Sequence, residues 1–70
     1  MSANNFLYIY RTKTPGHPLF RIEEKDADTG KTFNVVGGTT ELQDVIKLAQ
    51  DYQSENEVEY GITFDKNVYE

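Results

Sequence analysis

The sequence predicts a small α+β domain of order βββαβ, with a four-stranded sheet in the order 4-1-2-3 and one helix packed on one face. Three observations predict it. Apolar residues alternate with period two up to residue 36, recur with period 3.6 across residues 41–53, and alternate again over residues 57–65. The chain has 70 residues, which corresponds to a single domain, 1–70.

The first three strands are predicted at residues 5–12, 19–25 and 31–36, because these segments are rich in aromatic and β-branched residues and end at turn signals. Pro15-Gly16 suits a type II turn, and Asp28 with Gly30 suits a hairpin turn that closes through a left-handed glycine. The first strand is apolar on both faces. We expect its aromatic face to meet the helix together with Phe20, Phe33, Val35, Tyr60 and Phe64. The aromatic face consists of Phe6, Tyr8 and Tyr10.

The same alternation leaves a set of aliphatic residues for the other, open face of the sheet: Leu7, Ile9, Leu19 and Val36. The helix is predicted over residues 41–53, with Thr40 as N-cap of a capping box that Gln43 completes. Ile46 lies in its apolar stripe, so we expect Ile46 and Tyr60 to be core residues.

The last strand is predicted at residues 57–65, where Val58, Tyr60, Ile62 and Phe64 alternate with polar residues. Its outward register carries acids, and one further acid leads into it. These are the candidate partner-binding residues: Glu55, Glu57, Glu59 and Asp65. Residues 1–50 carry six acids and six bases, so the whole net charge of −5 lies after residue 50. Such a field repels free nucleic acid.

Composition excludes several classes of protein. The longest apolar run, Phe6 to Tyr10, is far shorter than the roughly 20 residues of a membrane-spanning helix. The chain has no cysteine, which excludes disulfides and thiolate chemistry. The N-terminus lacks the basic and apolar regions of a targeting segment, so we expect a cytoplasmic protein.

Four sequence patterns resemble sites of chemistry, and each has a simpler structural interpretation. Asp26 to Gly30 begins like a calcium loop, but its glycine is one place early. Gly37 to Thr40 precedes a helix, as in phosphate sites, but no lysine follows. His17 has no orienting partner, and the pairs Glu23-Glu24 and Glu57-x-Glu59 lack material for a cleft. We therefore predict no catalytic, cofactor-binding or metal-binding residue.

Two resemblances accompany this interpretation. A three-stranded meander followed by a helix resembles the amino-terminal arm-type DNA-binding domains of phage integrases, in which the sheet carries basic residues into a groove. Here Arg11, Arg21, Lys25 and Lys31 lie on the predicted sheet, but the acidic last strand opposes that use. In size and charge the chain also resembles small phage-encoded inhibitors.

The expected function is a non-enzymatic, acidic protein-binding module, an inhibitor or adaptor that occupies a basic surface of a partner protein. Such a basic surface could be one that holds nucleic acid. The alternative is a structural domain that forms a homodimer through its open sheet face. Neither interpretation involves a cofactor, a membrane or direct contact with nucleic acid.

Overall fold

The structure is a computed structural model, and it describes residues 4–13 and 19–69. Pro15-Gly16 and His17 lie outside the described residues. The elements in chain order are β1 (Asn5–Arg11), β2 (Phe20–Asp26), β3 (Thr32–Thr39), α1 (Leu42–Glu55), β4 (Ile62–Phe64) and a 3-10 turn (Lys66–Tyr69). In the described residues, α1 is too short and too polar to cross a bilayer, and no other helix reaches its length.

The sheet has the order β3-β2-β1-β4, which confirms the predicted βββαβ arrangement. β1 pairs antiparallel with β2 and parallel with β4, and β2 pairs antiparallel with β3. The helix connects β3 to β4, which run parallel at opposite edges of the sheet, and parallel strands need a long connection of this kind. β1 is therefore a central strand, as its apolar composition predicts.

The β2–β3 hairpin closes as its sequence predicts. The amide of Gly30 donates to the carbonyl of Asp26 at 2.8 Å, and the amide of Asp28 donates to the Asp26 carboxylate at 2.8 Å. Gly30 has φ +74°, a left-handed conformation that glycine adopts without steric cost. β3 then shows two register irregularities opposite β2, between Ile22 and Glu23 and between Glu24 and Lys25.

The face of β1 that meets the helix is the opposite of the one predicted. Leu7 and Ile9 are fully buried, whereas Phe6, Tyr8 and Tyr10 are only half-buried on the face without the helix. A tyrosine needs a partner for its hydroxyl when it is buried, and Leu and Ile do not. The core consists of Leu7, Ile9, Phe20, Ile22, Val45, Ala49 and Val68.

The β3 residues are reversed in the same way. Phe33 and Val35, which were expected in the core, are 59% and 55% exposed. Val36, which was expected on the open face, packs against the core. The irregular pairing of β3 with β2 interrupts the simple alternation of its side chains.

Ile46 and Tyr60 have different outcomes. Ile46 packs against the core and is partly buried, which confirms the direction of the helix stripe. Tyr60 is 61% exposed, so its assignment to the core was wrong.

The helix begins and ends close to the predicted residues, but the predicted capping box does not form. Its N-cap is Glu41, which makes no side-chain capping bond. The hydroxyl of the preceding Thr39 donates to the carbonyl of Glu41 at 2.7 Å, which is not a capping bond to a backbone amide.

The last strand is much shorter than predicted, since only residues 62–64 pair with β1. Gly61 has φ +77°, a conformation that ends the regular alternation. The residues before it are fastened by Asn5, whose side chain donates to the carbonyl of Glu57 at 3.0 Å and accepts from the amide of Glu59 at 2.9 Å. The prediction of a strand over 57–65 was therefore wrong for its first half.

Candidate functional sites

The four predicted partner-binding acids do not share one strand face. Glu55 is the last residue of α1, Glu57 and Glu59 lie in the irregular segment after it, and Asp65 follows β4. Glu55, Glu57 and Glu59 are exposed. Asp65 is half-buried and accepts a hydrogen bond from the hydroxyl of Tyr8 on the helix-free face. The structure thus separates Asp65 from the other three.

Three exposed acids lie on the helix. Asp44, Asp51 and Glu55 are seven and four residues apart, which places them on one face of a helix with 3.6 residues per turn. We call these three residues the acidic stripe, and all three are exposed. Residues 41–59 contain six acids and one base, Lys47, so this segment carries the entire net charge of −5. The sequence shows this excess of acid, but Asp44 and Asp51 precede the predicted last strand and were not among the predicted partner-binding residues.

The C-terminal end of the acidic stripe opposes the helix dipole, whereas Asp44 lies in the first turn, where the dipole favours an acid. The carbonyl end of a helix carries partial negative charge, so an acid there costs about 0.3–1 kcal/mol and a base is preferred. The last turn of α1 has no basic residue, and Glu55 is its final residue. Among the described residues, the only ion pair joins Lys25 and Glu23 at 3.8 Å, so Lys47, the one base of the helix, makes no ion pair with the stripe.

The helix-free face of the sheet is the second candidate site. Strand register defines its rows: Tyr10 lies beside Arg21, and Phe6 lies beside Lys25. The middle row runs across all four strands, in the order Thr63, Tyr8, Glu23, Val35. An aromatic column on β1 thus adjoins a column of alternating charge on β2.

Hydrogen bonds fix the tyrosines of this face. The hydroxyl of Tyr10 donates to one Glu23 oxygen at 2.6 Å, and the hydroxyl of Thr32 donates to the other at 2.7 Å. The rings of Tyr8 and Tyr10 are stacked, with centroids 5.9 Å apart. The Lys25 ammonium lies 5.0 Å from the centroid of Tyr8. These contacts hold the rings in fixed positions on the sheet.

The same contacts shift the pKa values of both tyrosines. The hydrogen bond to Asp65, with burial and nearby negative charge, raises the pKa of Tyr8 to about 12. Burial and the hydrogen bond to Glu23 raise the pKa of Tyr10. Both phenols therefore remain protonated donors at neutral pH.

The two carboxyl groups shift in the opposite direction. Burial acts to raise the pKa of Glu23, but the hydroxyls of Thr32 and Tyr10 and the neighbouring cations outweigh it, so this pKa is lowered. The hydrogen bond from Tyr8, followed by that from the Asn67 amide, lowers the pKa of Asp65. Both groups are therefore carboxylates that accept hydrogen bonds from tyrosine hydroxyls.

Two shallow grooves cross this face, and Tyr8 and Lys25 line both of them. One groove, of about 340 Å³, includes Arg11 and Lys13 at the Tyr10 end. The other, of about 460 Å³, includes Phe6 and Tyr60 at the opposite end. The first presents Lys13 and Lys25, together with the carboxylates of Glu23 and Asp65, beside the tyrosine rings, and the second is mainly aromatic.

A buried polar network lies on the helix side of the sheet. Glu24 is 7% exposed, and its carboxylate accepts hydrogen bonds from Asn5, Asn34 and the hydroxyl of Tyr52. This network joins four segments of the chain through donors that are all neutral. Glu24 and Asn5 are buried, and because the network ties four segments of the chain together we assign it a structural role.

Two of the sequence patterns that resemble sites of chemistry have structural roles. Asp26 and Gly30 form the hairpin turn. Gly37 lies within β3, where a Cβ would come within 3.1 Å of Leu48, so it permits close packing of the helix rather than phosphate binding. Across the described parts of the chain, no three acid or histidine side chains converge as a metal site would require.

Comparison with known proteins gives no match to a protein-family model, to a curated protein or to a solved structure. The function must therefore be argued from the chain's own charges and surfaces.

Proposed function

We propose that this chain is a non-enzymatic, acidic protein-binding module that acts as an inhibitor or adaptor in the cytoplasm. Its partner is a protein with a basic surface, of the kind that holds nucleic acid. The acidic stripe and Glu57, which follows it, form the contacting surface. The observation that carries the proposal is that exposed carboxylates run along one face of the helix and past its end, with Glu55 in the last turn, where the helix dipole disfavours an acid.

Stability gives no reason for this placement. A base at residue 55 would favour the helix, and acids distributed over the surface would serve solubility equally well. Seven residues of helix span about 10 Å and eleven span about 16 Å, so the stripe presents a row of charge as long as a binding groove. A row of this kind matches a basic groove and steers its approach.

Glu59 and Asp65 are not included in the contacting surface. Asp65 is engaged by Tyr8 on the other face of the sheet. Tyr60 lines a groove of the helix-free face and forms a hydrogen bond with Glu59, so Glu59 lies at the border of that face. This hydrogen bond, with the charges of Glu59 and Asp28, raises the pKa of Tyr60.

The test is charge reversal at the end of the helix. The double variant Glu55→Lys with Glu57→Lys should lose the proteins that the wild-type chain captures from lysate of its native host. With one captured partner purified, its association rate should fall and depend less on salt, since steering is electrostatic. Its melting temperature should be unchanged or slightly higher, because a base then occupies the last helical turn.

A matched control keeps the size of the charge change and moves it. Asp28→Lys with Glu59→Lys alters the net charge equally, on the hairpin side of the molecule, and should capture the same proteins as wild type. If both double variants bind the partner equally well at low and at high salt, the acidic stripe is not the contacting surface.

A further inference from the structure

The helix-free face has no covering element in the described part of the chain. The helix packs on the other face, where Leu7, Ile9 and Ile22 are fully buried. On the helix-free face Val35, on the β3 edge, is 55% exposed, and Tyr60, just before β4 at the opposite edge, is 61% exposed. Exposed apolar and aromatic side chains on an uncovered face mark interaction surfaces.

The charges of this face alternate along β2. Arg21 is followed, two residues on each time, by Glu23 and then by Lys25, and these three side chains share one face of the strand. Lys25 contacts Glu23, whereas Arg21 has no ion pair with any described residue. When the reverse of this column is displaced by one row, Arg21 of each column lies opposite Glu23 of the other.

We propose that the helix-free face binds a second copy of this chain, face to face, with the β1 strands antiparallel. The twofold axis runs across the strands, between the row of Tyr8 and Glu23 and the row of Tyr10 and Arg21. This operation sets Arg21 of each copy opposite Glu23 of the other, and Tyr10 of each opposite Tyr8 of the other. Packed sheets lie about 10 Å apart, which side chains of this length bridge.

The two ends of the face are complementary in the same sense. Lys13 lines the groove at the Tyr10 end, whereas the guanidinium of Arg11 lies over Phe20 on the helix side of the sheet. At the other end, Asp28 and Glu59 lie around Tyr60. Antiparallel pairing brings the cationic end of one copy to the acidic end of the other, so both ends attract.

The rings that would meet are already fixed. Tyr8 is held by Asp65 and Tyr10 by Glu23, and the two rings stack on each other. Side chains fixed before association lose little rotamer freedom when they bind. A closed twofold dimer also leaves both acidic stripes outward, so the pairing goes beyond the proposed function without depending on it.

The experiment is charge-swap complementation, measured by sedimentation equilibrium. Wild type should dimerise, and Arg21→Glu should raise the dimer dissociation constant by at least about tenfold, since two carboxylates then face each other at each contact. Glu23→Arg should do the same. An equimolar mixture of the two single variants, and the double variant Arg21→Glu with Glu23→Arg, should dimerise again.

Controls separate this result from misfolding and from the proposed function. Circular dichroism should show each variant folded, and Glu55→Lys with Glu57→Lys should dimerise as wild type does. Wild type that remains monomeric at about 1 mM overturns the proposal. Dimers that form equally well in both single variants overturn it too. If the monomer instead binds a labelled single-stranded oligonucleotide through Tyr8, this face is a base-stacking surface.

Discussion

At the scale of the residue, tyrosine hydroxyls decide how the sheet faces are used. Leu7 and Ile9 bring no polar group into the core, whereas Tyr8 and Tyr10 find carboxylate partners on the half-solvated face. Counting all hydrophobic residues alike does not separate leucine and isoleucine from tyrosine. A buried tyrosine hydroxyl needs a hydrogen-bond partner, and this requirement distinguishes them. The signal was present in the sequence, as alternation between rings with hydroxyls and aliphatic chains.

The Tyr8–Asp65 contact predicts a specific titration. The folded pKa of Tyr8, about 12, lies above the ordinary value of 10.0, so the stability it contributes is complete below pH 10 and is lost as pH rises toward 12. Asp65→Asn should move the pKa of Tyr8 back toward 10, because the hydrogen bond to Asp65 is its largest cause. NMR of ring-labelled tyrosine measures both values, and Asp28→Asn is the control. A Tyr8 pKa that Asp65→Asn leaves unchanged would contradict the assignment.

At the scale of the element, prediction was reliable where one local signal was sufficient. The 3.6-residue stripe located the helix, and Asp28 with Gly30 located the hairpin. It was wrong where regular alternation continued through a residue of special conformation. Val58, Tyr60, Ile62 and Phe64 alternate without interruption in the sequence, but Gly61 has positive φ and Asn5 holds residues 57 and 59 away from the ladder. Neither the conformation of Gly61 nor the hydrogen bonds of Asn5 can be inferred from the alternation of apolar and polar residues alone.

Gly61 should accordingly resist substitution. Gly61→Ala is expected to cost about 1–2 kcal/mol of unfolding free energy, because φ +77° is unfavourable for an L-residue with a Cβ. Asparagine tolerates this region better, so Gly61→Asn should cost less. Urea denaturation of the three proteins measures the difference. Equal stability of the alanine variant and wild type would show that the strand continues through this position.

At the scale of the whole molecule, topology was predictable and the orientation of the sheet was not. The order of elements and the crossover rule determine the strand order. The face of β1 that meets the helix depends on register, and a shift of one residue exchanges the two faces completely. Prediction of the candidate surfaces depended on which face of β1 meets the helix. The exposed acids could be read from the sequence, but the aromatic face of β1 was wrongly assigned to the core.

The orientation can be checked by a matched pair of substitutions. Ile9 is fully buried, and Ile46 only borders the core. Ile9→Ala should cost about 2–5 kcal/mol, enough to unfold so small a domain, and Ile46→Ala should cost less. Thermal melting followed by circular dichroism compares them. If Ile46→Ala is the more damaging of the two, the helix packs differently from the arrangement described above.

The pairing of β1 with β4 has a consequence for the order of folding. β1 completes its hydrogen bonds only with residues more than fifty positions later: the amide of Leu7 donates to the carbonyl of Gly61, and the side-chain amide of Asn67 both accepts from and donates to the backbone of Arg11. Val68, in the same later segment, is a fully enclosed core residue. During synthesis, the first strand must therefore wait with one edge unpaired until residues 61–68 leave the ribosome. Contacts of such long sequence separation slow folding, and a stalled nascent chain would expose an aggregation-prone edge.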